Sequence, residues 1–203
     1  MTTKLRTLIN ENNLIDIVKN YRAEDIIKIL NFNDILVLVW KMLFFDFVED
    51  IYSDFGVNLL FQLKFSKGDK WDKDWRNDAF LGFACDLTNR YEERYELLKR
   101  AYDRGGKNHS GLKISLARCC NAPGYPVISY EEALALVEDA MKDRVYIEGA
   151  WALSLIYSLM KDESNHRKWK ELAIKLEKGN GNKAPHFFPQ YLWDKEINKK
   201  PTV

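Results

Sequence analysis

The amino-acid sequence predicts an all-α fold: a short α/α solenoid of about three stacked helical hairpins with an N-terminal helical cap. No proline occurs between Met1 and Ala122, so long helices are permitted in the first half of the chain. The alternating apolar and polar residues typical of strands are missing. The second helices of three candidate hairpins begin near residues 91, 130 and 164. These spacings match the period of helical-hairpin repeats, and the alternative is an irregular helical bundle whose spacings agree by accident.

The N-terminal helical cap is predicted over residues 1–65. A helix bearing Ile26 and Leu30 precedes the stretch Ile35–Phe65, which continues in helices with few polar faces. The β-branched segment Ile35–Trp40, taken alone, would also fit a strand. Terminal units of helical repeats are atypical because one side must meet water. We therefore expect these helices to cover one end of the hairpin stack.

Three hairpins are predicted over residues 78–179, after a connection at residues 66–77. The pairs are Asp78–Thr88 with Tyr91–Arg104, Ser110–Cys120 with Tyr130–Lys142, and Tyr146–Met160 with Ser164–Lys178. In such a stack the first helix of each pair lies between its own partner and the neighbouring hairpin. The segment Ala150–Met160 is apolar except for Ser154 and Ser158, so we expect it to have no solvent-exposed face.

Helix boundaries follow from capping chemistry. Ser129 and Glu132 form a capping box, in which each side chain bonds to the backbone amide of the other residue. Asn89 is a candidate N-cap for the helix that begins at Tyr91. Gly105 and Gly179 are expected to end helices, since glycine adopts the left-handed conformation without a Cβ clash.

The C-terminal tail, residues 180–203, contains five large apolar side chains: Phe187, Phe188, Tyr191, Leu192 and Trp193. An unstructured tail does not need so many apolar groups. We therefore expect part of the tail to dock on the last hairpin, within a single domain spanning residues 1–203.

Three segments resemble the tetratricopeptide-like class of α/α repeats, including its Sel-one-like variety. They are LLKRAYDRGG (Leu97–Gly106), LVEDAMKDR (Leu136–Arg144) and KELAIKLEKG (Lys170–Gly179). The resemblance covers residues 78–179. It implies a curved scaffold that binds other macromolecules, and it carries over no catalytic residue.

The composition indicates a cytoplasmic protein. Its 31 basic and 30 acidic residues leave a net charge of +1, which does not favour nucleic acid or an anionic membrane as partner. The longest apolar run, Ile35–Val48, contains two charged residues and is too short to span a bilayer. The N-terminal residues lack the pattern of a secretory signal. Three cysteines, two of them adjacent, suit a reducing compartment: Cys85, Cys119 and Cys120.

No catalytic, metal-binding or cofactor-binding residue is predicted. Gly179–Ala184 matches the letters of a dinucleotide-binding motif, but a helix precedes it where a strand is required. Asp72 and Asp74 resemble the start of a calcium loop, although Arg76 occupies the next ligand position. His109 lies about 15 Å along a helix from Cys119, too far to activate its thiol. The histidines are expected to serve as helix caps or surface residues.

Two segments supply candidate partner-binding residues, and each also has a purely structural interpretation. Trp71 and Trp75, four residues apart, would share one helix face. They either pin the connection to the core or anchor a partner, because Trp and Arg are enriched at interface hot spots. The acidic cluster is either a solvated face or a docking site for a basic partner. The candidate residues are Trp71, Asp72, Asp74, Trp75, Arg76, Glu92, Glu93 and Glu96.

The functional hypothesis is a non-enzymatic protein that binds another protein, as a bacterial immunity protein does when it occludes a cognate toxin. An adaptor or secretion chaperone belongs to the same class. A helical nucleic-acid-binding protein is a rival, with Arg90, Arg94, Lys99, Arg100 and Arg104 as its candidate basic face. An enzyme with an α-helical active site is a third alternative, which would require converging His or carboxylate groups.

Overall fold

The computed structural model describes residues 2–44, 50–121, 127–188 and 192, and the fold is all-α. The α-helices are α1 (Thr2–Asn10), α2 (Leu14–Asn20), α3 (Ala23–Ile29), α4 (Phe32–Phe44), α5 (Asp50–Ser66), α6 (Gly68–Trp71), α7 (Trp75–Leu87), α8 (Tyr91–Asp103), α9 (Ser110–Ala117), α10 (Tyr130–Ala140), α11 (Ile147–Leu159) and α12 (Glu163–Lys178). Short 3₁₀ turns occupy Gly106–Asn108 and Arg118–Asn121. The described ranges contain no strand, so Ile35–Trp40 is helical.

The chain divides into two compact units. Unit 1 comprises Met1–Arg90 together with Phe188–Val203, and unit 2 comprises Tyr91–Phe187. The division falls between α7 and α8, which the sequence predicts as one hairpin. Of the tail residues named above, Tyr191 and Trp193 lie outside the described residues.

Unit 1 is organised around α5. This helix contacts α2, α3, α4, α6 and α7. On its α4 side, Gly56 lies close against Val39, so that an added Cβ would sit 3.3 Å from the valine side chain. An aromatic cluster joins the helices to the returning tail, since the ring centroid of Phe188 lies 4.9 Å from that of Trp40 and 5.0 Å from that of Phe80.

Unit 2 contains two successive hairpins, α9 with α10 and α11 with α12, and α8 packs on α9. Small residues let the helices approach closely, as Ala150 and Ala173 are completely buried. The shared core consists of Ile114, Ala117, Cys120, Ile128, Ala133, Val137, Ala140, Ala152, Leu153 and Ile156.

Helix α11 is mostly buried, as predicted for a first helix of a hairpin, but it is not covered on all sides. It contacts α12, α10 and α9. Trp151 is nevertheless 36% exposed and Met160, at the helix end, 39% exposed. The expectation of a helix without a solvent-exposed face is therefore wrong. Within unit 2 no further hairpin follows α12, so α11 is covered on fewer sides than a helix inside a longer stack.

Several helices end in a left-handed residue, and these positions correct two of the predicted capping roles but not the helix bounds. Asn89 has φ 58° and ends α7, with the next amide, that of Arg90, donating to Cys85 O at 2.9 Å. At the end of α12 the left-handed residue is Asn180 (φ 52°), not Gly179 (φ −95°). Asparagine tolerates this conformation better than most residues. Gly105 (φ 136°) follows α8, as predicted.

The segment after α12 runs back across unit 2. Ile147 N donates to Asn182 O at 2.9 Å, and Ala184 N donates to a carboxylate oxygen of Glu148 at 2.7 Å. The tail then passes directly over Gly111, where an added Cβ would lie 2.0 Å from Pro185 O. Backbone hydrogen bonds and close packing thus attach these residues to the first turns of α11 and α9.

Candidate partner-binding surface

Trp71 and Trp75 do not share a helix face. Trp71 is the last residue of α6, Trp75 is the first of α7, and a turn at residues 72–74 separates them. The side chain of Asp74 caps α7 by accepting a hydrogen bond from Arg76 N at 2.9 Å. Aspartate is a favoured N-cap residue, so a new helix starts at this position. The two indoles therefore lie on different helices and do not have the predicted i, i+4 relation.

Trp71 belongs to the core of unit 1. It has no exposed surface, and its Nε1 donates to Asp78 Oδ1 at 2.9 Å. The same oxygen accepts from Lys64 Nζ at 3.0 Å. Asp78 is itself fully buried, so the hydrogen bonds from Trp71 and Lys64 are needed to stabilise its carboxylate. Trp71 therefore pins the connection in place and presents no area to a partner in this conformation.

The rest of this predicted cluster lies nearer the surface. The guanidinium of Arg76 stacks 4.8 Å from the ring centroid of Trp75 and lies 3.4 Å from an oxygen of Asp74. These three side chains are half-buried, whereas Asp72 is exposed. Their role in binding a partner stays a prediction.

The acidic candidates Glu92, Glu93 and Glu96 are exposed on α8 in unit 2. Glu92 and Glu93 lie in the first turn, where negative charge favours the helix dipole. This location gives them a structural role that requires no partner. A docking role for the three glutamates also stays a prediction.

The basic face proposed for a nucleic-acid-binding rival is interrupted. Arg94 is 6% exposed and its Nη2 donates to Ser115 O at 3.3 Å, inside unit 2. Lys99 pairs with Asp103 at 2.7 Å, and this hydrogen bond raises the pKa of the lysine. Arg94 and Lys99 are thus engaged in intramolecular contacts, which weakens the case for phosphate binding.

Two of the three histidines, His109 and His166, support helices. His109 caps α9, because its Nδ1 accepts from Leu112 N at 3.2 Å. That acceptance leaves the proton on Nε2, which donates to His186 O at 3.1 Å. His166 lies against Ser154, with Nδ1 2.9 Å from the serine carbonyl oxygen, and joins α12 to α11. Burial raises the pKa of the Cys120 thiol, which favours its protonated form.

A surface that the sequence-based reasoning missed lies between α3 and α5 in unit 1. Phe65 is 94% exposed and borders a groove whose apolar lining also includes Ile27 and Phe61. We call it the Phe65 groove. The signal in the sequence is that Phe65 follows Phe61 at i+4, while Leu59, Leu60 and Leu63 supply the buried side of α5.

Neither a cluster of metal-ligating side chains nor a membrane-spanning helix occurs in the part of the chain that the structure describes. No group of three or more His, Cys, Asp or Glu side chains lies together as a metal site would require in the described ranges. None of the helices in those ranges is long and apolar enough to cross a membrane.

The fold is similar to that of MamA MSR-1 C2, a TPR-like helical-repeat protein. The two structures align with a TM-score of 0.55 and 15% sequence identity, over 87% of this chain and 99% of the MamA chain. At this identity the likeness shows the fold alone, and it confirms the predicted tetratricopeptide-like helical architecture. No family model and no curated protein matches the sequence.

Proposed function

We propose that this chain is a non-enzymatic scaffold that binds another protein. The observation that carries the proposal is the all-α, tetratricopeptide-like fold, because stacked helical hairpins offer an extended surface for macromolecular contacts. Exposed apolar side chains such as Phe65 in unit 1 and Trp151 in unit 2 support it. Such groups mark interaction surfaces when they cluster.

The finer proposal is that binding inhibits the partner by covering its functional site, as a cytoplasmic bacterial immunity protein covers a cognate toxin. Occlusion requires a preformed surface and no chemistry. The closely packed helices and their side-chain caps supply such rigidity, and the net charge of +1 fits a protein partner better than nucleic acid. An adaptor that joins two proteins is the second candidate, supported by the same helical-hairpin fold.

Crosslinking in the native host, followed by capture of the tagged chain and mass spectrometry, identifies the partner. Purified partner and chain are then titrated by calorimetry. Saturable binding of fixed stoichiometry supports the scaffold. Absence of a protein partner, or binding of RNA with a steep salt dependence instead, contradicts it.

Growth measurements separate inhibition from an adaptor role. The captured partner is expressed alone and together with the chain. If the partner arrests growth and co-expression restores it, the inhibitor proposal holds. If the partner is harmless alone, or if binding does not restore growth, the adaptor role replaces it.

A further inference from the structure

The Phe65 groove has an apolar floor, and the side chain of Phe65 at its border is almost fully exposed to solvent. Phe65 leaves 94% of its surface in water, whereas Ile27 and Phe61 are half-buried beside it. The guanidinium of Arg90 lies 5.3 Å from the ring centroid of Phe61 and covers one part of that ring. Packing a partner on this floor would remove a phenyl ring from water with little change in unit 1.

The charged residues around the groove are predominantly basic. Lys28 and Lys67 line it, are exposed, and have no acidic partner among the described residues. Arg90 adds a third cation next to Phe61. Glu24 is the carboxylate of the lining, and it accepts a hydrogen bond from Gln62 Nε2 at 3.0 Å. This balance favours a ligand that carries apolar and acidic side chains together.

The shape of the groove fits a helix. Its lining comes from two helices, with Glu24, Ile27 and Lys28 at i, i+3 and i+4 of α3, and Phe61 and Phe65 at i and i+4 of α5. An amphipathic helix can place its apolar stripe between two such rows. Carboxylates beside that stripe would then face the lysines.

We propose that the Phe65 groove receives an acidic amphipathic helix of the partner protein. A large apolar side chain of that helix packs on Phe65, Phe61 and Ile27, and flanking carboxylates pair with Lys28 and Lys67. This inference rests on the proposed function, because it assigns the chemistry of the partner that the scaffold binds.

The test uses synthetic, fluorescein-labelled helical peptides of about 18 residues, five turns long. One carries Leu at i, i+3, i+4 and i+7 with Glu on the flanks, a second has Lys in place of every Glu, and a third has Ser in place of every Leu. Fluorescence anisotropy with the full chain should show saturable binding of the first peptide alone.

Matched variants locate the binding site. Phe65→Ser should weaken binding of the acidic peptide about tenfold or more. Ile51→Ser removes another exposed side chain about 21 Å away along α5 and should change affinity by less than about twofold. The double variant Lys28→Glu with Lys67→Glu should prefer the lysine peptide instead. Circular dichroism of each variant confirms that it is folded.

Several outcomes would overturn the inference. They are equal binding of the acidic and lysine peptides, wild-type affinity in Phe65→Ser, and no saturable binding up to about 1 mM peptide. A monomer–dimer equilibrium that Phe65→Ser abolishes in sedimentation experiments would assign the groove to a second copy of the chain and likewise overturn it. If the captured partner binds wild type and Phe65→Ser equally, the scaffold function stands and the groove assignment alone fails.

Discussion

The burial of α11 can be tested by comparing two truncations in one helix. Ile156 is completely buried as part of the shared core of unit 2, whereas Met160 is 39% exposed. Each change to alanine removes three heavy atoms. For Ile156→Ala, three buried methylene equivalents at about 0.8 kcal/mol each give ~2.4 kcal/mol, and the cavity left behind raises this to about 3 to 4 kcal/mol. Met160→Ala should cost less than about 1 kcal/mol.

Urea unfolding followed by far-ultraviolet circular dichroism measures both free energies of unfolding. Because the chain has two compact units, unfolding is also followed by tryptophan fluorescence. If the fluorescence and circular dichroism curves do not coincide, the data are fitted with a three-state model instead of a two-state model. A loss below about 1 kcal/mol for Ile156→Ala, or equal losses for the two variants, would refute the assigned packing of α11.

Three further predictions concern unit 1 and the ends of α11 and α12. Asp78→Ala leaves the buried Trp71 N–H without its acceptor and should lower the free energy of unfolding, measured with urea, by about 2 to 3 kcal/mol. A decrease of less than about 0.5 kcal/mol would contradict the hydrogen bonds described around Asp78. Lys161 is left-handed (φ 61°) after α11, so Lys161→Gly should raise the free energy of unfolding by about 0.5 to 1 kcal/mol. A lower melting temperature for this variant would contradict the prediction. Hydrogen bonds from the Asn165 side chain and backbone amide lower the pKa of Asp162, the N-cap of α12. The stabilisation that the ionised Asp162 gives to the folded state is fully present above the ordinary pKa of 3.8 and is lost as the pH falls through the lowered pKa. The difference in free energy of unfolding between wild type and Asp162→Ala should therefore close in acid. A difference that is independent of pH would exclude this cap.

The sequence contained enough local information to place most helices. Ser129 predicted the start of α10, and its Oγ accepts from Glu132 N at 3.1 Å. Helical periodicity predicted α8 and α12 with bounds that differ from the structure by one residue. These features depend on residues close together in the chain, so no tertiary information was required.

Features that depend on distant residues could not be predicted in the same way. Trp71 and Trp75 look equivalent in sequence, yet the cap at Asp74 separates them and Asp78 holds only Trp71 in the core. Left-handed helix ends were assigned to glycine, whereas Asn89 supplies one of them. Helical periodicity places Phe65 on the same side of α5 as Phe61 and away from Leu59, Leu60 and Leu63, but which other helices cover that side depends on residues distant in the chain.

Radical footprinting of side chains tests the central claim, that exposed apolar surface on this scaffold binds a protein partner. In the free chain, Phe65 at 94% exposure should be oxidised readily and Trp71, with none, should be protected. In the saturated complex with the captured partner, we expect oxidation of Phe65 to fall sharply while that of Ile51 stays constant. Unchanged oxidation of Phe65 and of the other exposed apolar side chains in that complex would contradict the account.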